Sequence, residues 1–397
     1  LSFIEAQPYD RWFEPLPGMR ARLRNAGHIL GSAFIEIEVD AAPRPLRLVF
    51  SGDVGPLGKT LQPDPARPGP ADVALVESTY GSRSREPMSE ADRRAVLGRE
   101  LEVALAAGGN VVVPVFAVER TQEILEDIAE LKRSGKLQGA QVFLDSPLAG
   151  RTTEVFRTHR SLLSRSEDGH AFSGGEFRLS ETVDQSRAIG RIRAGAIILA
   201  GSGMCDAGRV KHHLKDNLWR EDSTVLFVGY QAPGTLGALI RGGAAQVRIH
   251  GEEIGVRARI RSIDSYTGHA DREELVAWCK PMMDELGSLL IVHGEPEGIA
   301  GLSDALASAG VERARIIAPT LDEKFVLVHR DGRWLAMPEG GGLPRLSPET
   351  ANARRDWHND YAQMLLDIRG ALQAAPDDAT RHRLLQQLRR ALGNGSR

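Results

Sequence analysis

Apolar and polar residues alternate through AFIEIEVD at 33–40 and LRLVFSGD at 46–53, and ADVALVES at 71–78 is a nearly unbroken apolar run. Such stretches, parted by the Pro- and Gly-rich AAPRP and QPDPARPGP, predict short strands of one sheet joined by tight connections. From Ser89 the period changes. EADRRAVLGRELEVALAAGGN predicts a helix, VVVPVF a buried strand, ERTQEILEDIAELKRSG a second helix and QVFLDSP another strand. Strand and helix in alternation build a parallel sheet with crossover helices. GAIILAGSG, the helical AGRVKHHLKDNL and TVLFVGY continue that pattern to about residue 255. RARIRSIDSYTGHAD and SLLIVHGE then read as a return to the first sheet, followed by the helix GIAGLSDALASAG and the strand ARIIAPT.

This pattern divides the chain into 1–82 and 256–325 as two parts of one domain, 83–255 as an inserted domain, and 326–397 as a C-terminal extension. In the extension, Tyr361, Leu365, Ile368 and Leu372 form one helical stripe and Leu384, Leu385, Leu388 and Leu392 a second, with Pro376 between them. A helical hairpin is expected there. It either packs on the first domain or makes a homodimer contact; Asp356, Asp360, Asp367, Asp377 and Asp378 argue against a nucleic-acid-binding tail.

With 397 residues, 42% hydrophobic and 26% charged, the chain has core enough for two or three domains. A net charge of −3 excludes a globally basic nucleic-acid coat, although a local basic channel remains compatible with it. Cys205 and Cys279 are the two cysteines and form no CxxC pair, so neither sulfur-bound structural zinc nor a disulfide framework is expected. No apolar stretch approaches a membrane span, and the low cysteine usage leads to the expectation of a cytoplasmic protein.

The chemistry gathers at the ends of the apolar runs. His28 in GHILGSA, Asp53 in SGDVG and His293 in IVHGE each sit where such a run stops at glycine. Glu77 ends ADVALVE before STYG, and His269 in TGHAD opens a helical stretch. Imidazoles and carboxylates presented from strand ends are the donors of a hydrolytic zinc site. Two Gly-rich turns follow buried strands. Ser202 and Gly203, with Arg209 in the helix beyond, and Thr235 after VLFVGY, either receive a phosphate or simply make tight strand-to-helix turns. Arg83 and Arg85 flank the domain junction as channel-lining or solvated cations.

In this order, GHILGSA, SGDVG, VESTYGSR, TGHAD and IVHGE, with VVVPVFAVERTQEIL, VFLDSPLAG, LAGSGMCDAGRVKHHL and VLFVGYQAPGTLG between them, resemble the metallo-β-lactamase-fold nucleases with a β-CASP insertion. The resemblance runs from about residue 1 to about residue 325 and is strongest to the bacterial and archaeal ribonucleases related to the cleavage and polyadenylation nuclease subunit. It implies an α/β fold: a metallo-β-lactamase αββα sandwich lacking its amino-terminal part, with an inserted parallel-sheet β-CASP domain. It also implies two zinc ions, with His28 on the first, Asp53 bridging and His293 on the second. Single-stranded RNA would be hydrolysed, endonucleolytically, by metal-bound hydroxide, with His269 as general acid oriented by Glu77.

One departure stands beside the match. The family's HxHxDH segment, upstream of GHILGSA and the source of further ligands, has no counterpart in this sequence. The expectation is a fragment, a ribonuclease when full length and inactive as given. A catalytically silent RNA-binding subunit is one alternative, and a small-molecule metallohydrolase of the same superfamily is the other.

Overall fold

The computed structural model of the protein describes residues 4–86, 88–164, 175, 177–339 and 357–393. Two sheets organise it. The first has the strand order Trp12–Leu16, Met19–Asn25, Ala33–Val39, Leu46–Phe50, Val73–Glu77, Ser288–Val292 and Ile316–Ile317. Its first four strands pair antiparallel, and the pairs from Leu46–Phe50 onward are parallel. Glu77 lies opposite Val292 in this register, so two strand ends some two hundred residues apart in sequence share one edge. Phe34, Val49, Val76, Leu289 and Ile291 bury one face against Leu275 and Trp278 of helix Arg272–Cys279 and Leu302 and Leu306 of helix Pro296–Ser308.

The second sheet, in the order Arg259–Ile263, Thr224–Val228, Val111–Pro114, Ala196–Ala200, Gln141–Asp145 and Arg178–Leu179, is parallel throughout. Both its faces are covered. Val111 and Val113 pack with helices Glu90–Ala106 and Arg120–Arg133, while Val112, Ile198 and Phe227 pack with helices Val210–Asn217 and Leu236–Arg241. Burial on two faces is why these strands are apolar runs rather than alternations.

Two expectations are corrected. Residues 259–263 do not return to the first sheet: Arg259–Ile263 pairs in parallel with Thr224–Val228 at the edge of the second, so the return follows Ile263 rather than residue 255. The extension, expected to be a helical hairpin, begins as a β-hairpin, Phe325–Arg330 with Arg333–Pro338, turning at Asp331 and Gly332, both at positive φ. Trp334 and Ala336 of this hairpin pack on Leu46, Val73 and Leu290, closing the outer face of the first sheet.

Helices Trp357–Ala374 and Asp378–Gly393 do follow, separated around Pro376. The first docks on the inserted domain rather than on the first: Leu366 packs against that domain's core, and Arg369 donates to the carbonyl of Gly242. Asp356 and the side chains of Asp360, Tyr361, Leu365 and Leu392 lie outside the described residues. Among the described residues no helix is long and apolar enough to cross a membrane.

A buried ionic cluster fastens the returning segment to the inserted domain. Asp127, fully buried, accepts from Tyr266 Oη at 2.5 Å, Arg94 Nε at 3.0 Å and Arg93 Nε at 3.4 Å. Arg93 and Arg94 keep Thr60 and Glu90 as further partners, but removing Asp127 takes away the one carboxylate that both share with Tyr266 in the interior. Asp127→Ala is therefore expected to lower unfolding stability by about 3–5 kcal/mol, measured by denaturant titration. A loss below about 1 kcal/mol would show that water enters and takes the carboxylate's place.

Candidate functional site

The carboxyl ends of three parallel strands of the first sheet meet at one place, where open α/β sheets present ligands. Leu46–Phe50 runs into Asp53, Val73–Glu77 ends on Glu77, and Ser288–Val292 delivers His293. His28 comes from the turn after Met19–Asn25, and His269 from the loop before helix Arg272–Cys279. All five predicted chemical residues are brought together, in the following geometry.

Glu77 is buried and uses both carboxylate oxygens. Oε1 accepts from Val54 N at 2.7 Å and faces His269 Nδ1 at 3.0 Å, while Oε2 accepts from Thr79 N at 3.2 Å and lies 3.2 Å from the same imidazole nitrogen. Burial alone would push this carboxyl up; the hydrogen bonds from His269, Thr79 and Val54 outweigh it and hold Glu77 below the usual carboxylate range. With Nδ1 turned to Glu77, the Nε2 of His269 is left for the cleft.

His28 is fixed from behind. Its Nδ1 lies 2.7 Å from the carbonyl of Gly268, which selects the tautomer with a free Nε2, and that nitrogen stands 3.6 Å from Asp53 Oδ2. Burial first, then the neighbouring His269, lowers the His28 pKa, the direction that favours the neutral ring a metal ligand needs. His293 sits at φ +50° with its Nδ1 3.2 Å from Asp53 Oδ1. The chain can turn so sharply there because the next residue is glycine: a Cβ on Gly294 would lie 2.3 Å from Ser78 Oγ.

Asp53 thus faces one imidazole with each oxygen. Donor atoms of His28, Asp53 and His269 all lie within 4.8 Å of one another. The rings of His28 and His269 have centroids 4.5 Å apart, and those of His269 and His293 lie 6.0 Å apart. Imidazole nitrogen and carboxylate oxygen at this spacing fit a zinc-type cation, and the same geometry lets His269 serve either as a further ligand or as a proton donor beside it.

The second domain reaches this site through a residue pair that inspection of the sequence missed. Lys59 Nζ donates to the backbone carbonyl of His28 at 2.7 Å and pairs at 2.9 Å with Glu119 of the inserted domain, with side chains only 4% and 3% exposed. Gln62 Nε2 donates to the other Glu119 oxygen at 2.9 Å. Glu119 stands at φ +68° at the start of helix Arg120–Arg133. Nothing in GPLGKTLQ or AVERTQ marks these residues as partners, since the pairing is made only by the docking of two domains.

The Gly-rich turns are differently placed. Arg209, expected to meet phosphate, spends its guanidinium on Asp145 at 2.7 Å and on the carbonyls of Ser180 and Glu181. Thr235 caps helix Leu236–Arg241 through the N–H of Ala238. The Ser202 N–H donates to the carbonyl of Ala207, and Gly203 packs so close to Phe116 that a Cβ would come within 2.7 Å of its ring. For these four residues the turn-making alternative is the one the geometry carries. Arg85 likewise points inward, donating to the carbonyl of His269 at 2.8 Å. Of the two junction arginines, Arg83 is the exposed one, and it lines an interdomain cleft of about 680 Å³ that opens beside His293.

Comparison with known proteins agrees with this architecture. A family profile described as Beta-Casp domain matches residues 121–240, and one described as Zn-dependent metallo-hydrolase RNA specificity domain matches residues 253–319. Ribonuclease TTHA0252 of Thermus thermophilus is 36% identical over 318 residues, covering 79% of this chain and 71% of the relative. An RNase J-like protein of Methanocaldococcus jannaschii is 31% identical over 301 residues, with 74% and 68% covered. The transcription termination factor FttA of Cenarchaeum symbiosum is 31% identical over 339 residues, covering 81% of this chain and 51% of the factor, so the chain spans about half that relative's length.

The placement of Arg209 yields a direct test. Arg209→Ala is expected to lower unfolding stability by about 2–3 kcal/mol, the usual scale for losing hydrogen bonds to a buried charged partner. Any affinity for RNA should change less than twofold. An unaltered unfolding midpoint combined with a marked loss of RNA binding would return Arg209 to the phosphate-contact role.

Proposed function

The chain belongs to the β-CASP metallo-β-lactamase ribonuclease family, and from that membership together with the site's geometry we propose that it hydrolyses phosphodiester bonds of single-stranded RNA at a zinc centre, cutting within the strand. The observation that carries the reading is the Glu77–His269 pair, set beside His28, Asp53 and His293 at the mouth of a cleft whose walls come from two domains. A small-molecule hydrolase on the same metal core has no use for an inserted domain that builds half the cleft wall.

His28, Asp53 and His293 would hold the metal, with Asp53 between the two imidazoles. The chemistry supplied by zinc at such a site is activation of water near neutral pH and neutralisation of phosphate charge. The remaining work belongs to the chain. His269 holds a proton at Nε2 for the departing ribose oxygen, and Glu77, accepting at Nδ1, keeps the ring aimed at that position. On this reading the strand enters the cleft singly, while the Gly268 carbonyl and Lys59 keep the His28 ring and backbone in place.

Two imidazoles, His28 and His293, and the carboxylate of Asp53 are few donors for stable zinc sites, so this chain should retain zinc only weakly. Elemental analysis after dialysis reads this, and tight stoichiometric uptake would contradict it. In the zinc-loaded protein, His269→Ala should slow cleavage of single-stranded RNA by roughly 10² to 10⁴ while zinc content holds. His293→Ala should lose zinc and activity together; equal zinc loss in both variants would make His269 a ligand. A circular single strand should be cut and the same sequence in a duplex spared. Efficient hydrolysis of lactones or β-lactams with RNA left intact would remove the ribonuclease reading.

A further inference from the structure

The interdomain cleft beside His293 carries an aromatic arrangement that the metal chemistry does not use. Tyr80 comes from the turn after Val73–Glu77 in the first domain, and Tyr230 from the turn after Thr224–Val228 in the second. Both line the cleft and are partly exposed. Their rings meet edge to face, with centroids 6.4 Å apart and planes at 85°. The guanidinium of exposed Arg83 lies over both, 5.3 Å from the Tyr80 centroid and 5.5 Å from that of Tyr230. Tyr80 also abuts the His269 ring edge to face at 5.9 Å, so this aromatic corner begins directly against the proposed proton donor.

Single-stranded nucleic acid is held by stacking of bases on aromatic faces with a cation at hand for the backbone, and stacking tolerates any base because every base has a π face. A guanidinium over a ring is a planar, delocalised group lying where a base would lie. Two tyrosines carrying such a group in an open cleft therefore present a site with a movable cover. The remaining charges narrow the occupant. Glu295 and Glu297 line the same cleft and disfavour a bare anion, whereas a neutral planar base suffers no such repulsion.

We propose, resting on the RNA-hydrolysis reading above, that Tyr80, Tyr230 and Arg83 form a stacking subsite for the nucleobase adjoining the scissile phosphate. As the base takes the ring faces, Arg83 moves from them to the backbone phosphate. Because the two rings belong to different domains, the subsite exists only when the domains are docked, and a strand bound there is registered against both.

The test is an abasic scan. A short single-stranded RNA is prepared with one base at a time removed, and binding to the intact protein is followed by fluorescence anisotropy. In the parent protein, removal of the base next to the cleavage position should weaken binding roughly 5- to 100-fold, the range for a base stacked on an aromatic residue, and removal elsewhere should matter far less. Tyr230→Ala should weaken binding of the intact strand similarly and make it indifferent to the abasic position, while Tyr230→Phe, which keeps the ring, restores the parent's pattern. Arg83→Ala, an exposed change that leaves the rings in place, should lower affinity and reduce the salt slope by about one counterion. RNA that is bound and cut with a flat abasic scan, or losses from Tyr230→Ala and base removal that simply add, would overturn the subsite and leave the ribonuclease reading standing. A parent protein that neither binds nor cuts RNA would remove both.

Discussion

A single buried carboxylate holds the site together. Glu77 ends a strand in the interior of the first sheet, and its two oxygens receive the N–H of Val54, one residue beyond Asp53, the N–H of Thr79, on the way to Tyr80, and the imidazole of His269 from the far side of the inserted domain. A lone carboxylate would not stay ionised there, since burial disfavours the charge; donors converging from three segments reverse that balance. The segments bearing Asp53, His269 and the cleft wall are positioned relative to one another through this group. The parallel register of Val73–Glu77 with Ser288–Val292 then adds His293 at the same edge.

What the carboxylate orders locally, the docking of two domains fixes at longer range. Asp127 in the inserted domain anchors Tyr266, three residues before His269, and Glu119 of the same domain reaches Lys59, which holds the His28 backbone. The second domain is thus part of the scaffold that sets two of the imidazoles, as well as one wall of the cleft. A rigid-body shift between domains would move His28 and His269 together, because the Gly268 carbonyl already joins them.

Much of this was legible in the chain because strand ends advertise themselves. An apolar run stopping at a polar residue and glycine is a local signal, and Asp53, Glu77 and His293 are all of that kind. Tertiary pairings leave no such mark. Lys59 and Glu119 are ordinary charged residues until the domains meet, and Arg209 looks like a phosphate ligand until Asp145 is found beneath it. The strand Arg259–Ile263 was assigned to the wrong sheet because, at an edge, its alternation RIRSI carries polar residues and matches either domain. The β-hairpin at 325–338 does carry a local signal, the Asp331–Gly332 dipeptide between alternating runs, but the helical stripes beyond it are the stronger pattern in the extension.

The role of Glu77 can be read most directly from the ring nitrogens of His269. Both oxygens of Glu77 accept from donors, so an amide at this position would turn its own N–H toward a backbone N–H or the imidazole, and the arrangement could not be satisfied. A ¹H–¹⁵N spectrum of the histidine side chains should show a proton held on His269 Nδ1 and slow to exchange in the parent protein, whether or not Nε2 carries the proton to be donated. In Glu77→Gln that resonance should give way to a mixture of tautomers exchanging with solvent. A His269 signal unchanged by the substitution would mean that something other than this carboxylate holds the ring, and the organisation argued from Glu77 would fall.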